Sequence, residues 1–388
     1  MNKMFKNFLK GFFLFSASIY SITYEIYVED WATQCSTTNA CASYFPTCHF
    51  AWDGNGVCTI AFASMGYNPS NANAGVIYGL TQNKTTIQNT VSLVHASYSG
   101  GAKIKLAYGG ANAAYQLWAI SNWQNDDTIL NVAKNMTSAC VGFGFDGIDI
   151  DFEAGPPAGA GVATAQLIKN IRSIFDNSGH QDKILTLTIG AQTLNSSFPE
   201  HYSLIKNLQN SDGSLGYVNH INFMEYCLGI AKGNNIIQQA QADIQSYHTG
   251  EFQLPYNKMA VGMEQYCCGV TSCSVGEFAM DKDSAASLTT WANNTGLAGV
   301  FWWDLNKELE YFTPSYCTMS PPPSAFPVSY AIKYACSQPP KKQMLGATLK
   351  SKNITSLSSN PPFGFQEKNR QEGDNSPSEA PTPTPVSP

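Results

Sequence analysis

The segment Phe145-Asp146-Gly147-Ile148-Asp149-Ile150-Asp151-Phe152-Glu153 carries three acidic residues at alternate positions. Successive side chains of a strand point to opposite faces. Asp149, Asp151 and Glu153 therefore share one face, and Ile148, Ile150 and Phe152 share the other. The apolar set fixes the register, because a one-residue slip would exchange the two faces. Burying three like charges on one strand is costly, and no packing need explains it. Such carboxyl groups must share protons, and their apparent pKa values spread apart. That spread lets a general acid work beside an ionised partner at mild pH. A solvated acidic edge strand is the structural alternative, and the interleaved Ile, Ile and Phe argue against it.

The acidic strand needs a scaffold, and the chain repeats one. Short runs rich in β-branched and aromatic residues predict strands at Tyr24–Glu29, Val57–Ser64, Lys103–Tyr108 and Gly147–Phe152. Four more follow at Ile184–Gly190, His220–Glu225, Lys258–Met263 and Ala298–Trp303. The intervals leave room for helices, and Ala163–Phe175 has apolar residues at helical spacing. Eight strands alternating with helices predict an α/β fold, a (β/α)8 TIM barrel. A doubly wound open sheet would want a Gly-rich phosphate loop after its first strand, and there is none. In a barrel the apolar side of the fourth strand takes the helices, which sends the carboxylates into the lumen.

Composition limits the partners. The 388 residues are 43% hydrophobic and only 13% charged, with a formal net charge of −6. No basic cluster follows the first ten residues, so no nucleic-acid partner is expected. Nineteen Tyr, 21 Phe and 7 Trp suit neutral, ring-shaped ligands such as sugars. Lys3, Lys6 and Lys10 precede a short apolar run, Gly11 to Ile22, with small residues at Ser16 to Ser18. Residues 1–22 are expected to be a secretory signal peptide, too short for a membrane span, and the protein to be secreted. The crowded Cys35, Cys41, Cys48 and Cys58, and Cys267, Cys268 and Cys273, then predict disulfide bonds on long loops. No zinc-ligand spacing occurs, and no metal or other cofactor is expected. From 338 to 388 the chain holds nine of its 20 prolines and no Trp, Tyr or Cys, the composition of a disordered tail. A single catalytic barrel is left over residues 23–337.

The pattern D-x-x-D-x-D-x-E, at the end of a mid-chain strand, resembles the signature of glycoside hydrolase family 18, the chitinases and their relatives. Ala107-Tyr108-Gly109-Gly110 resembles the family's S-x-G-G, and Met224-Glu225-Tyr226-Cys227 its M-x-Y-D. Gly299-Val300-Phe301-Trp302-Trp303 is similar to its closing strand. The resemblance implies that Glu153 is the general acid, that Asp151 holds the substrate's 2-acetamido group, and that Asp149 shares a proton with Asp151. It further implies that Tyr226 bonds the acetamido carbonyl and that Trp303 floors the −1 sugar. Tyr108, Gly109, Gly110 and Met224 join Trp303 as substrate-binding positions, and Asp146, on the other face, is structural. The implied enzyme is an endo-acting, retaining chitinase, monomeric, acting on chitin or chito-oligosaccharides.

The departures bear on chemistry. Ala107 stands where the family has Ser, Cys227 where it has Asp, and Ala154-Gly155 where many members have Tyr-Pro. The short interval between strands seven and eight leaves no room for a large insertion, which implies an open cleft. Three further readings stay open: an endo-β-N-acetylglucosaminidase acting on N-glycans, a non-catalytic chitin-binding lectin-like protein, and a cysteine hydrolase using Cys227. The last lacks a His in a recognisable partner motif.

Overall fold

The computed structural model describes residues 22–29, 56–65, 79–80, 84–97, 102–153, 155–191, 198–226, 236–264 and 282–303. All lie in Met1–Gln343, the first of two units into which the chain divides. The signal segment up to residue 21, Cys227, the other loop cysteines named above except Cys58, the 265–281 connection and the tail lie outside the described residues.

The described strands are β1 (Thr23–Glu29), β2 (Gly56–Ala63), β3 (Lys103–Gly109), β4 (Gly147–Asp151), β5 (Ile184–Gly190), β6 (His220–Met224), β7 (Met259–Glu264) and β8 (Gly299–Trp303). Every neighbouring pair is parallel, and β8 returns to β1. The sheet is a closed eight-stranded barrel. The described helices are α1 (Lys84–Ser97), α2 (Asp126–Phe143), α3 (Ala160–Asn177), α4 (Pro199–Leu208), α5 (Ile236–Thr249) and α6 (Lys282–Thr295). With them the chain is a (β/α)8 TIM barrel. None of these helices is long and apolar enough to cross a membrane.

Alternation within each strand sorts the core into two parts. Ile26, Leu106, Ile148, Ile150, Leu187, Phe223, Val261 and Trp302 pack outward in one buried cluster with helix residues such as Ile129, Leu167 and Leu288. Tyr27, Ala61, Phe62, Ala107, Met224, Tyr226 and Phe301 form a second, inner cluster, with Trp303 and Tyr115 against it. A register shift in β2 between Ile60 and Ala63 lets Phe62 join that inner group. Ile22, which the sequence assigns to the leader, is buried in the outer core beside β1.

Local signals deliver β4. The Asn125 side chain caps α2 by accepting from the Asp127 and Thr128 amides at 2.9 and 3.2 Å. Gly144 ends the helix at φ +83°, a left-handed conformation that favours glycine. The chain then turns directly into β4, and Asp146 Oδ2 accepts from the Ile104 amide at 2.9 Å and pairs with His95 Nε2 at 2.8 Å. Asp146 thus pins the entry of β4 to β3 and α1. The helix read at Ala163–Phe175 runs longer, Ala160–Asn177, because Gly159-Ala160-Gly161 reads as loop by composition.

Gly161 is where α3 meets α4. A Cβ there would lie 2.1 Å from the Glu200 carbonyl oxygen and 2.9 Å from the Leu204 amide nitrogen. Helix propensity favours Ala over Gly by about 1 kcal/mol, whereas overpacking a tight contact costs about 1–3 kcal/mol. Backbone atoms cannot swing aside, so the clash dominates. Gly161→Ala should lower the thermal midpoint by several degrees, while an unchanged or higher midpoint would show that the two helices can part cheaply.

Candidate active site

Side-chain alternation on β4 carries Asp149 and Asp151 into the lumen, fully buried, and Glu153 follows at the rim, half-buried. Asp149 has a dense set of donors. Tyr27 Oη donates to its Oδ2 at 2.9 Å, and Thr186 Oγ1 to its Oδ1 at 2.5 Å. Thr188 Oγ1 lies 3.0 Å from both carboxylate oxygens. Asn222 Nδ2 closes the ring, 3.3 Å from Tyr27 Oη and 3.2 Å from Thr188 Oγ1. Below this ring Lys105 Nζ lies 2.8 Å from Glu25 Oε1 and donates to Thr186 Oγ1 at 2.6 Å. Thr59 Oγ1 also donates to Glu25, at 2.5 Å.

Burial raises the proton affinity of all three carboxyl groups on this face. Asp149 is raised chiefly by burial, and Lys105 opposes that rise most strongly. Asp151 is held well above the usual carboxylate range by burial, then by the Glu153 and Asp149 charges, and it donates a hydrogen bond to Glu153. Burial pushes Glu153 up to about 7, and the bond accepted from Asp151 pulls the other way. Asp151 is thus the donor within the pair, and Glu153 holds a proton up to about pH 7. A carboxylic acid that keeps its proton near pH 7 can protonate a leaving oxygen. Asp151 Oδ1 is buried and has no hydrogen-bond partner among the described residues.

Around the three carboxyl groups the mouth is aromatic. Trp303 stacks on Phe62, with centroids 5.2 Å apart and planes at 18°, and meets Tyr27 at 5.6 Å. Tyr226 packs edge-on to Phe301 at 6.2 Å. Met224 and Tyr226 belong to the same inner cluster. β6 and β8 thus bring Tyr226, Met224 and Trp303 into one neighbourhood with Tyr27. Gly109 and Gly110 act through their backbones. Gly109 sits at φ +110°, and a Cβ there would lie 2.1 Å from the Asp151 carbonyl oxygen. That same oxygen accepts from the Gly110 amide at 3.1 Å and from Gln116 Nε2 at 2.9 Å. The glycine pair lets β3 close onto the end of β4. Tyr108 differs from the expected placement: it takes the outward parity and packs in the helix-side core, 3% exposed. Its side chain stands away from the lumen because Ala107 and Gly109 hold the inward positions.

Residue patterns alone did not single out Glu25, Tyr27, Lys105, Gln116, Thr186, Thr188 or Asn222. Six of the seven left a signal, namely a polar residue at alternate positions of an otherwise apolar strand. Gln116 lies between two short 3-10 turns, Ala113–Tyr115 and Leu117–Ala119, and nothing in its sequence surroundings marks it.

A model of the glycosyl hydrolases family 18 matches residues 24–274, well over half of the chain. The chain belongs to that family. Among solved structures, the family 18 chitinase from Cycas revoluta in complex with allosamidin matches at TM-score 0.55 and 12% identity, over 80% of this chain and 99% of that one. Human YKL-39, described as a pseudo-chitinase with retained chitooligosaccharide binding, matches at TM-score 0.56 and 12% identity, over 82% and 100%. At such identity these two share the fold. A search of curated proteins found no match. Membership of glycosyl hydrolase family 18 fits the β4 arrangement described above, which occupies the C-terminal rim where such barrels hold their sites.

The raised Glu153 ties stability to pH. A carboxyl whose folded pKa exceeds its unfolded value stabilises the fold fully below the unfolded value, and that contribution is lost as pH rises through the folded value. Unfolded Glu titrates at about 4.3 and Glu153 at about 7, so the loss falls between those pH values. Glu153→Gln cannot ionise. Its midpoint should match the wild type near pH 4 and exceed it near pH 8, by an amount worth about 1–3 kcal/mol. Thermal melts across that range check this, and a gap that stays constant or reverses sign would count against a raised Glu153.

Proposed function

We propose that this chain is a secreted, retaining, endo-acting glycoside hydrolase that cleaves β-1,4 bonds between N-acetylglucosamine units by substrate-assisted catalysis. The observation that carries the reading is the pairing of Glu153, protonated up to about pH 7, with Asp151, whose buried Oδ1 has no partner among the described residues. Glu153 protonates the glycosidic oxygen as the bond breaks. The 2-acetamido carbonyl oxygen of the −1 sugar attacks the anomeric carbon, and an oxazolinium ion forms. Asp151 accepts a hydrogen bond from the acetamido N–H and steadies that cation. Glu153, now a carboxylate, takes a proton from water, which opens the ring on the same face the leaving group left. The net result is retention.

The remaining residues take supporting roles. Asp149, fixed by Tyr27, Thr186 and Thr188, is the charged partner that lets Asp151 gain and lose its shared proton. Tyr226 bonds the acetamido carbonyl, and Trp303 forms a flat apolar floor for the sugar ring. Solved relatives support a chitin-type ligand: one Cycas revoluta chitinase is in complex with (GlcNAc)3, and human YKL-39 was solved in the presence of chitooligosaccharides. YKL-39 is described as a pseudo-chitinase, and the retained Glu153 favours catalysis here over binding alone.

Incubation with chito-oligosaccharides and, separately, with a high-mannose glycopeptide tests the reading through product masses. Cleavage of the oligosaccharides into N-acetylated fragments is expected. Cleavage of the glycopeptide alone would assign the chain to N-glycan processing, and binding with no cleavage of either would make it a lectin-like member. Glu153→Gln should lower turnover at least about a hundredfold while oligosaccharide binding stays within a few-fold of wild type. A variant retaining a tenth of the activity would remove Glu153 from the acid role.

A further inference from the structure

Asp149 takes its hydroxyl partners from strands other than β3. Ala107 is its register partner on β3 and offers only a methyl group. The hydroxyls that reach Asp149 come from β1 and β5 instead. One of them has its direction fixed. A lysine ammonium only donates hydrogen bonds. Lys105 Nζ, 2.6 Å from Thr186 Oγ1, therefore occupies that oxygen's lone pair, and the Thr186 proton must point elsewhere. It points at Asp149 Oδ1, 2.5 Å away. The result is a one-way chain from ammonium through hydroxyl to carboxylate. Glu25 anchors the ammonium at 2.8 and 3.0 Å, and both side chains are buried, Lys105 at 0% exposed and Glu25 at 3%. An ion pair sealed in a barrel lumen gives weak stabilisation compared with apolar residues of the same size.

We infer that Lys105 is a positioning residue for the reaction: through Thr186 it gives Asp149 a fixed hydrogen-bond donor and holds it as an anion, so that the mobile proton stays on Asp151 and Glu153. The inference rests on the reading of β4 as a hydrolytic site. The charged and titratable groups around Asp149 are few enough to name. β1 contributes Glu25 and Tyr27, β3 contributes Lys105, and β4 contributes Asp151 with Glu153 beyond it. His220 on β6 lies in the same surroundings, held down at about 3 by burial and by Lys105, so it stays neutral. Glu264 ends β7 at the rim. β2, β5 and β8 present Thr59, Thr186, Thr188 and Phe301, none of which carries charge. Among the described residues, Lys105 is the cation that acts on Asp149.

Replacing Lys105 by Met removes that cation, and Asp149 then competes with Asp151 for the proton. The acidic limb of the kcat/KM profile on chito-oligosaccharides should move up by about one pH unit. Single substitution also strands Glu25 as a buried, unpaired charge, which can unfold the barrel. The double variant Glu25→Gln with Lys105→Met removes the pair together. It should regain wild-type thermal stability yet keep the displaced acidic limb. A purely structural pair predicts the opposite, with both stability and pH profile returning to wild type, and that result would overturn the inference. Carbon-13 NMR titration of the Asp carboxyl groups, assigned with Asp149→Asn, reads the same quantity without turnover. An upward shift of the Asp149 carboxyl in the double variant is expected. An unmoved Asp149 would overturn the role of Lys105, even in a protein that binds sugar without cleaving it.

Discussion

Three carboxyl groups spaced two residues apart inside a closed barrel cannot all ionise. Strand geometry puts them on one face, and apolar partners on the other face keep that face turned inward. Burial then raises the cost of each charge, and each charge raises the cost of the next. The raised proton affinities of Asp149, Asp151 and Glu153 follow chiefly from burial, with the neighbouring carboxylates adding to it at Asp151. So does the chemistry, since one group must be a proton donor while its neighbour remains an acceptor.

Much of the surrounding fold serves this single strand. Asp146 fixes where β4 begins, by tying it to the β3 backbone and to α1. Gly109, Gly110 and Gln116 fix where it ends, by gathering at the Asp151 carbonyl. Phe152 packs outward against His201 on α4 at 4.9 Å, and burial pushes that histidine down to about 4, so it is neutral when the carboxyl groups work. Between these clamps the lumen supplies hydroxyl donors from β1 and β5 and one ammonium from β3. The chain can bury Asp149 because every oxygen of it is met by a donor.

The barrel was legible because its strands are buried on both faces and read as short apolar runs of even spacing. Each predicted strand falls within one residue of an observed one at its start and at its end: Ser64, Phe152 and Glu225 leave the ladder, while Gly109 and Glu264 extend it. The acidic face was legible for the same reason, since alternation is local and needs no partner. What escaped was non-local. Nothing near Lys105 in the chain announces Glu25, 80 positions away, or Thr186, 81 positions away. The family resemblance places Tyr108 in the site with the glycine pair, whereas strand parity turns it outward. Parity decides such cases.

Everything proposed here turns on whether the sugar itself supplies the nucleophile, held by Asp151 while Glu153 moves the proton. Proton NMR during the first minutes of chito-oligosaccharide digestion reads the anomer at the newly released reducing end before it equilibrates. Two displacements at one carbon restore the starting geometry, so the β-anomer should appear first. Initial release of the α-anomer would mean direct attack by water and would contradict the role given to Asp151.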